Sequence, residues 1–398
     1  MPRITIFTVP SPGHVNPLLP VAAELVERGA VVDIFLTPGY RNKVEETGAI
    51  FHAYPGLDDD YFDEVSRRFN PVWLATQLAT TTLALVPPLA AFLQTSRSDV
   101  VVYDSMCPWG RIAADQCGVP AIASLALLNL DVGHYLRSGL LLQALRLSPR
   151  VLPWLPRFWR ARRRVNRTLR AGLPGLPTIL SWPGAHNISY TSAEFQPGAA
   201  ALADTFRFVG PPLRPALRHF PFPFERLDSD RPLIYLSLGT VFNNNPALFR
   251  TARDAFGDSI YQLVIALGHQ LAPATLAPLP DNVIVQPYVP QLEILQRAAL
   301  FITHGGMNSV HEGLYYDVPL LLAPQQLEQA LTAGRVAALG AGQILPTGDL
   351  TPGRLRRAAE ELLADPRTRQ RAAALGRSLR EAGGAPRAAE EILAVAAG

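Results

Sequence analysis

The chain has 398 residues, 48% of them hydrophobic and 17% charged, and at about 150 residues per domain this length predicts two domains. The formal net charge is +3, from 36 Lys and Arg against 33 Asp and Glu, which argues against the concentrated basic face of a nucleic-acid-binding protein. The two cysteines, Cys107 and Cys117, exclude a disulfide framework and lack the further ligands of a zinc site.

The first third of the chain predicts two strand–helix–strand units. Residues 4–9 form a short apolar run rich in β-branched side chains, which is typical of a strand buried on both faces. After a loop rich in Pro and Gly, we predict that Asn16 caps a helix, that Pro17 is its first residue and that Gly29 ends it. A strand at 31–36 completes this unit, and the second unit has a strand at 100–103, a helix at 109–117 and a strand at 121–124.

The second half of the chain repeats this alternation after a proline-rich passage. Six prolines between positions 211 and 232 are typical of a linker. Strands are then predicted at 233–238, 262–266, 283–286, 300–303 and 320–323, and helices at 247–256, 292–296, 308–315 and 329–339. Such alternation predicts two doubly wound parallel sheets, whose ligands bind beyond the carboxyl ends of the strands.

No segment has the pattern of a signal peptide or a membrane span. The amino-terminal apolar run is too short for a signal-peptide core and is interrupted by Pro10. Residues 72–94 are more lipid-like, but Gln77, the threonine triplet at 80–82 and a Pro-Pro pair interrupt them, whereas a spanning helix needs about 20 predominantly apolar residues. We therefore predict a buried helix there and a soluble, cytoplasmic protein.

Two common nucleotide-binding motifs are absent. The sequence has no Gly-x-x-x-x-Gly-Lys-Ser/Thr loop and no Gly-x-Gly-x-x-Gly after the first strand, which argues against an ATPase and an ordinary NAD-dependent dehydrogenase. The acidic run at 58–60 has no further oxygen ligands nearby, so we interpret it as a solvated loop rather than a cation site.

A candidate anion site follows the strand predicted at 300–303. The residues from His304 onward read His-Gly-Gly-Met-Asn-Ser-Val-His-Glu, which places two glycines immediately before a helix start. Free N–H groups and the helix dipole favour a phosphate there, and His304 and Ser309 can donate further hydrogen bonds. Glu312, one turn into the helix, can accept two ribose hydroxyls. The alternative interpretation is a tight turn with an Asn or Ser cap.

The run His-Gly-Gly-Met-Asn-Ser-x-x-Glu-Gly resembles the donor-binding signature of the UDP-dependent glycosyltransferases of family GT1, and the bacterial macrolide-type enzymes are the nearest in pattern. Flanking motifs are similar to that family in the same order: Gly-His-Val-Asn-Pro at 13–17, the stretch 235–243, Tyr-Val-Pro-Gln at 288–291, and residues 318–329. The likeness extends from the first strand to Gly342, while the region from Pro55 to Leu213 matches only in outline.

The resemblance implies an α/β fold of the GT-B arrangement, in which two Rossmann-like, doubly wound parallel-sheet domains face each other. It implies an acceptor-binding domain at 1–213, a Pro-rich linker at 214–232, a nucleotide-sugar-binding domain at 233–380, and a last helix at 381–398 that packs back on the first domain.

In the acceptor half, the resemblance makes His14 the general base. It sits in the predicted loop after the first strand, and an imidazole titrates near neutral pH, which suits this role. Asp104, at the carboxyl end of another strand, matches the family's partner carboxylate and would orient the ring. The alternatives are a histidine that merely lies near a helix start and an ordinary cap of the following helix. The apolar side chains expected to line the acceptor pocket are Trp73, Leu78, Trp109 and Leu127.

In the donor half, the resemblance assigns each part of a UDP-sugar to its own group of residues. The diphosphate would be bound by Ser237, Gly239, Thr240, His304, Gly305, Gly306, Asn308 and Ser309; the uridine by Tyr288, Val289, Gln291 and Glu312; and the sugar by Glu328 and Gln329. Two positions depart from the family pattern: plant relatives have Asp where this chain has Glu328, and the family usually has Gly where this chain has Asp317.

The function implied is inverting, metal-independent transfer of a hexose, with glucose favoured, from a UDP-sugar to a hydroxyl of a lipophilic polyketide, phenolic or terpenoid. No cofactor is implied besides this co-substrate. Two alternatives stay open: a C-glycosyl transferase, deoxysugar transferase or nucleotide-sugar epimerase of the same fold, and a non-catalytic nucleotide-sugar-binding protein.

Residues 157–170 contain seven arginines beside Trp154, Phe158 and Trp159. This pattern fits a basic amphipathic helix on an anionic membrane, and it also fits a solvated helix on the acceptor domain. We favour the solvated helix. We also expect no nucleic-acid partner for the protein.

Overall fold

A computed structural model describes residues 1–59, 70–130, 151–218, 220–239, 243–345 and 350–398 of the chain. These residues divide into two units, the first comprising Met1–Leu213 together with Ala382–Gly398 and the second comprising Arg214–Glu381. Each unit is built on its own parallel sheet flanked by helices.

The sheet of the first unit has the strand order β3-β2-β1-β4-β5-β6-β7 over its described residues. Its strands are β1 Arg3–Phe7, β2 Val31–Leu36, β3 Ile50–Ala53, β4 Val100–Asp104, β5 Ala121–Leu125, β6 His186–Ser189 and β7 Phe206–Phe208. Strand β1 pairs in parallel with both β2 and β4, so the strand order reverses beside β1. Ligands of doubly wound sheets bind at such a reversal, outside the carboxyl ends of the strands.

Helices cover both faces of this sheet. They are α1 Pro12–Glu27, α2 Arg41–Glu45, α3 Pro71–Ser96, α4 Pro108–Cys117 and α5 Leu155–Leu169, with short 3-10 turns at Pro38–Tyr40, Leu152–Trp154, Thr178–Leu180 and Ala199–Leu202.

Helix α3 is the one helix in the described part of the chain that is long and apolar enough to cross a membrane by length and composition. It packs on α4 and α5 in the core of the first unit, and half of its most apolar stretch is buried. The threonines that interrupt its apolar pattern are satisfied inside the helix, because Thr76 and Thr82 donate to main-chain carbonyls four residues earlier at 2.7 Å. The helix therefore combines polar side chains with a core position.

The sheet of the second unit has the order β10-β9-β8-β11-β12-β13 over its described residues. Its strands are β8 Leu233–Ser237, β9 Gln262–Ala266, β10 Val283–Gln286, β11 Ala298–Thr303, β12 Leu320–Leu322 and β13 Gly342–Ile344. Its helices are α6 Pro246–Phe256, α7 Gln291–Leu295, α8 Met307–Tyr315, α9 Leu327–Ala338, α10 Pro352–Ala364 and α11 Pro366–Glu381, with a 3-10 turn at Pro273–Leu276. The order reverses between β8 and β11, which places the loops after these two strands at the ligand-binding edge.

The last helix, α12 (Gly384–Ala396), belongs to the first unit and packs against α1. The N–H of Gly384 donates to the carbonyl of Val209 at 2.5 Å, and Arg28 of the loop after α1 lies 3.6 Å from Glu390. The carboxyl-terminal residues thus complete the fold that the amino-terminal residues begin.

Helix α1 begins earlier than the sequence predicts. Asn16 is not its cap: the cap position is Ser11, whose backbone is extended, and Pro12 takes the first helical position that prolines favour. Pro17 and Pro20 are accommodated inside the helix. As a consequence His14 lies in the first turn of α1 and not in a loop.

The proline-rich segment 214–232 belongs to the second unit. It contains 3-10 turns at Pro215–Leu217 and Phe224–Arg226. The side chain of Gln262 fastens it to β9, since its Oε1 accepts the Asp228 N–H at 2.8 Å and its Nε2 donates to the Arg226 carbonyl at 2.7 Å.

The arginine-rich helix α5 buries one side and exposes the other. Phe158 and Val165 are buried in the core of the first unit, where α5 packs on α3. Arg157 lies over the ring of Trp154 at 4.4 Å, and Arg162 donates to the Leu173 carbonyl at 2.8 Å. The helix is therefore part of the packed first unit, with arginines on its outer face.

Candidate active site

A histidine–aspartate pair lies at the carboxyl edge of the first sheet. Because β1 and β4 are neighbours, the first turn of α1 after β1 and the end of β4 come together, and Nδ1 of His14 lies 2.6 Å from Oδ2 of Asp104. Both side chains are largely buried, with 12% and 3% of their surfaces exposed. The structure therefore brings together the two residues proposed as base and partner.

The second oxygen of Asp104 fixes the carboxylate. Its Oδ1 accepts the N–H of Met106 at 2.8 Å, and the Asp104 carbonyl accepts the N–H of Cys107 at 2.7 Å. Asp104 does not cap helix α4, whose cap position is Cys107 and carries no side-chain cap. A carboxylate on Nδ1 favours the tautomer in which Nε2 accepts a proton, and it stabilises the imidazolium that results.

A second histidine–aspartate pair lies within the same sheet but has a different setting. Nε2 of His52 lies 2.7 Å from Asp33, to which Arg3 also donates at 2.7 Å. Burial raises the pKa of Asp33, but the hydrogen bonds from His52 and Arg3 outweigh it and hold the pKa below its ordinary value. The imidazole of His52 is stacked on Phe35 at 4.9 Å, so this pair joins strands β1, β2 and β3 and serves the fold.

In the second unit, the imidazole of His304 lies between two glycines. A Cβ on Gly239 would come within 2.7 Å of the ring, and a Cβ on Gly306 would clash with its Nε2. Gly239 also has a φ of +79°, which side chains disfavour. These glycines let the loops after β8 and β11 approach each other with the ring between them.

Burial lowers the pKa of His304 to about 4, against a hydrogen bond to the main-chain carbonyl of Ser237 that acts in the opposite direction. The imidazole is therefore neutral at neutral pH and carries one N–H. Its single N–H can donate to a phosphate oxygen instead of to the Ser237 carbonyl. After protonation both ring nitrogens carry an N–H, so that the ring can donate to the phosphate and to the carbonyl at once.

The amino terminus of α8 has no side-chain cap. Gly306 occupies its cap position without a side-chain cap, and Gly305 has a φ of +84°. The alternative of a turn capped by Asn or Ser is therefore wrong, since Asn308 and Ser309 lie inside the first turn. Uncapped N–H groups at a helix start, aligned with the helix dipole, favour a negatively charged group.

Glu312 is held by a chain of hydrogen bonds. The side chain is only 2% exposed, and its two oxygens lie 2.5 Å from Nη1 of Arg218 and 2.6 Å from Nε2 of Gln291. The Tyr235 hydroxyl in turn donates to Gln291 at 2.8 Å. Both oxygens of the carboxylate predicted to bind ribose are thus already engaged within the chain.

Tyr288, predicted to stack on uracil, is 40% exposed. Its ring is stacked on that of Phe220, with centroids 5.5 Å apart and an interplanar angle of 17°. Sequence reasoning missed Phe220 and Arg218, because they lie in a proline-rich segment whose composition indicates a linker. The only indication of their role in the sequence was that an arginine and an aromatic residue occur close together in that segment.

The residues predicted to bind the transferred sugar lie at the start of α9. Gln329 is buried, and its Oε1 accepts the main-chain N–H of Gln325 at 2.9 Å, while Glu328 is exposed. Of the other predicted donor residues, Val289 is buried and the Ser237 hydroxyl accepts the Gly239 N–H at 3.3 Å. Thr240 lies outside the described residues.

Asp317 shows how a departure from the family pattern is tolerated. It adopts a left-handed backbone with a φ of +62°, the conformation in which glycine is favoured. Arg380 of α11 lies 2.9 Å from its carboxylate. The turn before β12 is therefore retained, and the extra charge is paired.

Three of the four predicted acceptor-lining residues are core residues instead. Leu78 and Trp109 are 0% exposed and Trp73 is 4% exposed. The Trp109 indole donates to the Tyr54 hydroxyl at 3.2 Å, so its polar atom is also used inside the core. The prediction was wrong for these three because an apolar helix face is as typical of a packed core as of a pocket; Leu127 alone is half-buried.

The chain is similar to known proteins over nearly its whole length. Residues 253–393 match the family model described as "Erythromycin biosynthesis protein CIII-like, C-terminal domain". The chain is 32% identical over 397 residues to the NDP-glycosyltransferase YjiC of Bacillus licheniformis, covering 98% of this chain and 96% of the relative. It is 30% identical to the demethyllactenocin mycarosyltransferase of Streptomyces fradiae, covering 98% of this chain and 86% of the relative.

A solved structure is similar over the same extent. The crystal structure of the glycotransferase of kitacinnamycin matches with a TM-score of 0.82 and 29% identity, covering 99% of both chains. The likeness therefore includes both sheets and the last helix.

Proposed function

Since the chain belongs to the GT1 family of NDP/UDP-glycosyltransferases, with the macrolide-type enzymes and the GT-B fold, we propose that it transfers a hexose from a UDP-sugar to a hydroxyl of a lipophilic natural product. The observation that carries this proposal is the 2.6 Å contact between His14 and Asp104. It supplies an oriented base of the kind that a displacement at a sugar carbon requires.

The proposed reaction is a single displacement with inversion. His14 accepts the proton of an acceptor hydroxyl, the oxygen attacks the anomeric carbon, and the bond from that carbon to the diphosphate oxygen breaks. An α-linked donor gives a β-glycoside and UDP, and the proton stays on the imidazole until solvent removes it. Asp104 stabilises the imidazolium through Nδ1, as the acid of a hydrolase triad does.

The negative charge that develops on the diphosphate would be met by groups of the second unit. The uncapped first turn of α8 and the imidazole of His304 are the chain's own donors for it. Donors fixed in advance, where charge develops, are a large source of rate acceleration. The proposal needs no cofactor besides the donor.

Glu312 is proposed to bind the two vicinal hydroxyls of the ribose, which favours UDP over a deoxythymidine donor that lacks the 2′-hydroxyl. Glu328 and Gln329 are proposed to bind the sugar, with glucose the favoured hexose. A natural-product acceptor is supported by relatives that are named for demethyllactenocin and kitacinnamycin.

The test is incubation of the protein with UDP-glucose or dTDP-glucose and a panel of phenolic and polyketide acceptors, read by mass spectrometry. The expected product gains one hexose, is formed faster from UDP-glucose, releases the sugar in acid and has the β configuration by NMR. An acid-stable product would indicate a C-glycosyl transferase, and conversion of UDP-glucose without an acceptor would indicate an epimerase. Binding of UDP without turnover on any acceptor would indicate a non-catalytic protein.

A further inference from the structure

Three residues of the proline-rich segment contact the part of the second unit proposed to bind the nucleoside: two lie on proposed binding residues, and the third lies on Gln286 beside them. We call Arg218, Phe220 and Pro221 the linker strap. All three belong to the second unit, as do their partners on β10, on α8 and in the loop after β10.

The first contact of the linker strap occupies the ribose position. Arg218 lies on one oxygen of Glu312, and Gln291 donates to the other. A carboxylate buried this deeply needs a charged or hydrogen-bonding partner, because an unpaired buried charge is strongly unfavourable. Arg218 provides that partner through a side chain that is itself 23% exposed. The hydroxyls of a ribose would need the same oxygen.

The second contact occupies the base position. Phe220 and Tyr288 are both among the exposed large hydrophobic residues of the described chain, and their near-parallel rings cover each other. A nucleobase would stack on Tyr288 in the same manner, since every base offers a π-face to an aromatic ring. Phe220 thus covers one face of the ring on which a base would stack.

A third contact fastens the linker strap in place. With its amide oriented to satisfy its neighbours, Gln286 of β10 donates to the carbonyls of Pro221 and Tyr288, each at 3.2 Å. The strap is therefore connected to the same loop as Tyr288 by side-chain hydrogen bonds and not by a buried apolar core. Contacts of this kind at the surface are the ones that open most readily.

We propose that the linker strap is an internal competitor for the nucleoside: Arg218 stands in for the ribose hydroxyls on Glu312 and Phe220 for the base on Tyr288, until the donor displaces both. The inference rests on the proposed nucleotide-sugar donor and adds a regulation of its binding. The apparent dissociation constant equals the intrinsic one divided by the fraction of molecules with the strap open. A strap closed nine-tenths of the time would therefore weaken UDP binding about tenfold.

The test is calorimetric titration of UDP into the wild-type protein and the variants Phe220→Ala and Arg218→Gln. Gln is chosen because it can still donate a hydrogen bond to Glu312 but carries no positive charge. Each variant is expected to lower the dissociation constant for UDP ~3- to 10-fold. The matched control is Arg231→Gln, an arginine of the same segment that pairs with Asp228 and not with Glu312; its dissociation constant should equal that of the wild type.

An unchanged or weaker affinity in both strap variants would overturn the proposal, because it would make Arg218 and Phe220 neutral or supporting residues. A second measurement uses the wild type alone. Amide hydrogen exchange of residues 215–227 is expected to speed up when UDP binds, since the displaced strap loses its contacts; slower exchange would show that it closes over the nucleotide and would overturn the inference.

Failure of the proposed function gives a different result. If UDP binds to neither the wild type nor the strap variants, the UDP donor is wrong and the strap has nothing to compete with. If UDP binds and the variants bind it more tightly, the linker strap stands whatever the acceptor screen shows.

Discussion

Nδ1 of His14 lies 2.6 Å from Oδ2 of Asp104, although the two residues are 90 positions apart in the sequence. The contact exists because β1 and β4 are adjacent parallel strands, so the segments that follow them start from the same edge of the sheet. The pairing depends on the fold of the first unit alone, and its consequences for catalysis can be measured directly.

Replacement of His14 by Ala is expected to remove the base. Turnover should fall ~10²- to 10⁴-fold, while the dissociation constant for UDP stays within about twofold of the wild type, because the proposed nucleotide residues lie in the second unit. The matched control is His52→Ala, which removes the other histidine bonded to a buried aspartate and should leave turnover per folded molecule unchanged. Undiminished turnover in His14→Ala would remove this residue from the mechanism.

Asp104→Asn is expected to preserve the shape of the pair and to lose its electrostatics. An amide offers Nδ1 either a donor or a neutral acceptor, so the ring is no longer held in the productive tautomer and the imidazolium is not stabilised; a loss of up to ~10⁴-fold in kcat is expected. KM for the donor should change little. A loss of activity that comes only from a higher KM, with kcat intact, would contradict the assignment.

Gly306→Ala is expected to displace the imidazole of His304, since the added Cβ would clash with its Nε2. We expect ~10- to 100-fold slower transfer and weaker UDP binding, because a preorganised donor to the diphosphate is lost. Gly334→Ala in α9 is the control: nothing lies within 4 Å of its Cβ, so it should stabilise the fold by up to about 1 kcal/mol without changing UDP affinity. Equal behaviour of the two variants would show that His304 does not depend on the glycine.

The lowered pKa of His304 predicts a pH-dependent stability. In the unfolded chain this imidazole has its ordinary pKa of 6.5, whereas in the folded protein its pKa is about 4. Between these values the unfolded state binds more protons, so the free energy of unfolding decreases as the pH falls, by at most about 3 kcal/mol. Urea unfolding across this range should show a shallower decrease for His304→Asn than for the wild type. Parallel curves would mean that the buried imidazole does not contribute.

Trp109→Ala tests whether this tryptophan is a core residue rather than part of the acceptor pocket. A fully buried indole that is hydrogen-bonded to Tyr54 should, when truncated, lower the free energy of unfolding by about 3–5 kcal/mol. Chemical denaturation gives this value. If the range of acceptors changes while the free energy of unfolding stays the same, Trp109 lines the acceptor pocket after all.

The sequence predicted strands in both halves of the chain, but it placed the start of helix α1 wrongly, and both outcomes have a physical reason. Strands β2, β9 and β10 lie at the predicted residues, because short β-branched runs bounded by polar or turn residues have one favourable structure. The start of α1 was wrong, since Pro12 and Pro17 both suit a helix start and only the packed fold selects between them. Asp104 was proposed because it matches the partner carboxylate of the family it resembles, at the carboxyl end of a strand that the sequence pattern predicts.

Other parts of the site were not accessible to sequence patterns. Arg218 and Glu312 are 94 positions apart, and no periodicity connects a linker arginine to a carboxylate on a helix. Leu78 and Trp109 are apolar, as residues that line a lipophilic pocket are, but both are fully buried in the core. Apolar character alone does not distinguish a side chain that contacts a ligand from one that contacts only protein.

The return of α12 to the first unit bears on the order in which the chain becomes foldable. Residues 214–381 leave the ribosome as an uninterrupted segment, so the second unit is complete while the first still lacks the helix that packs on α1. Domains ordinarily fold from the amino terminus during synthesis. Here the unit that is begun first is finished after the second, and the surface of α1 that α12 will cover stays open to chaperones or to misassembly until residues 384–396 are made.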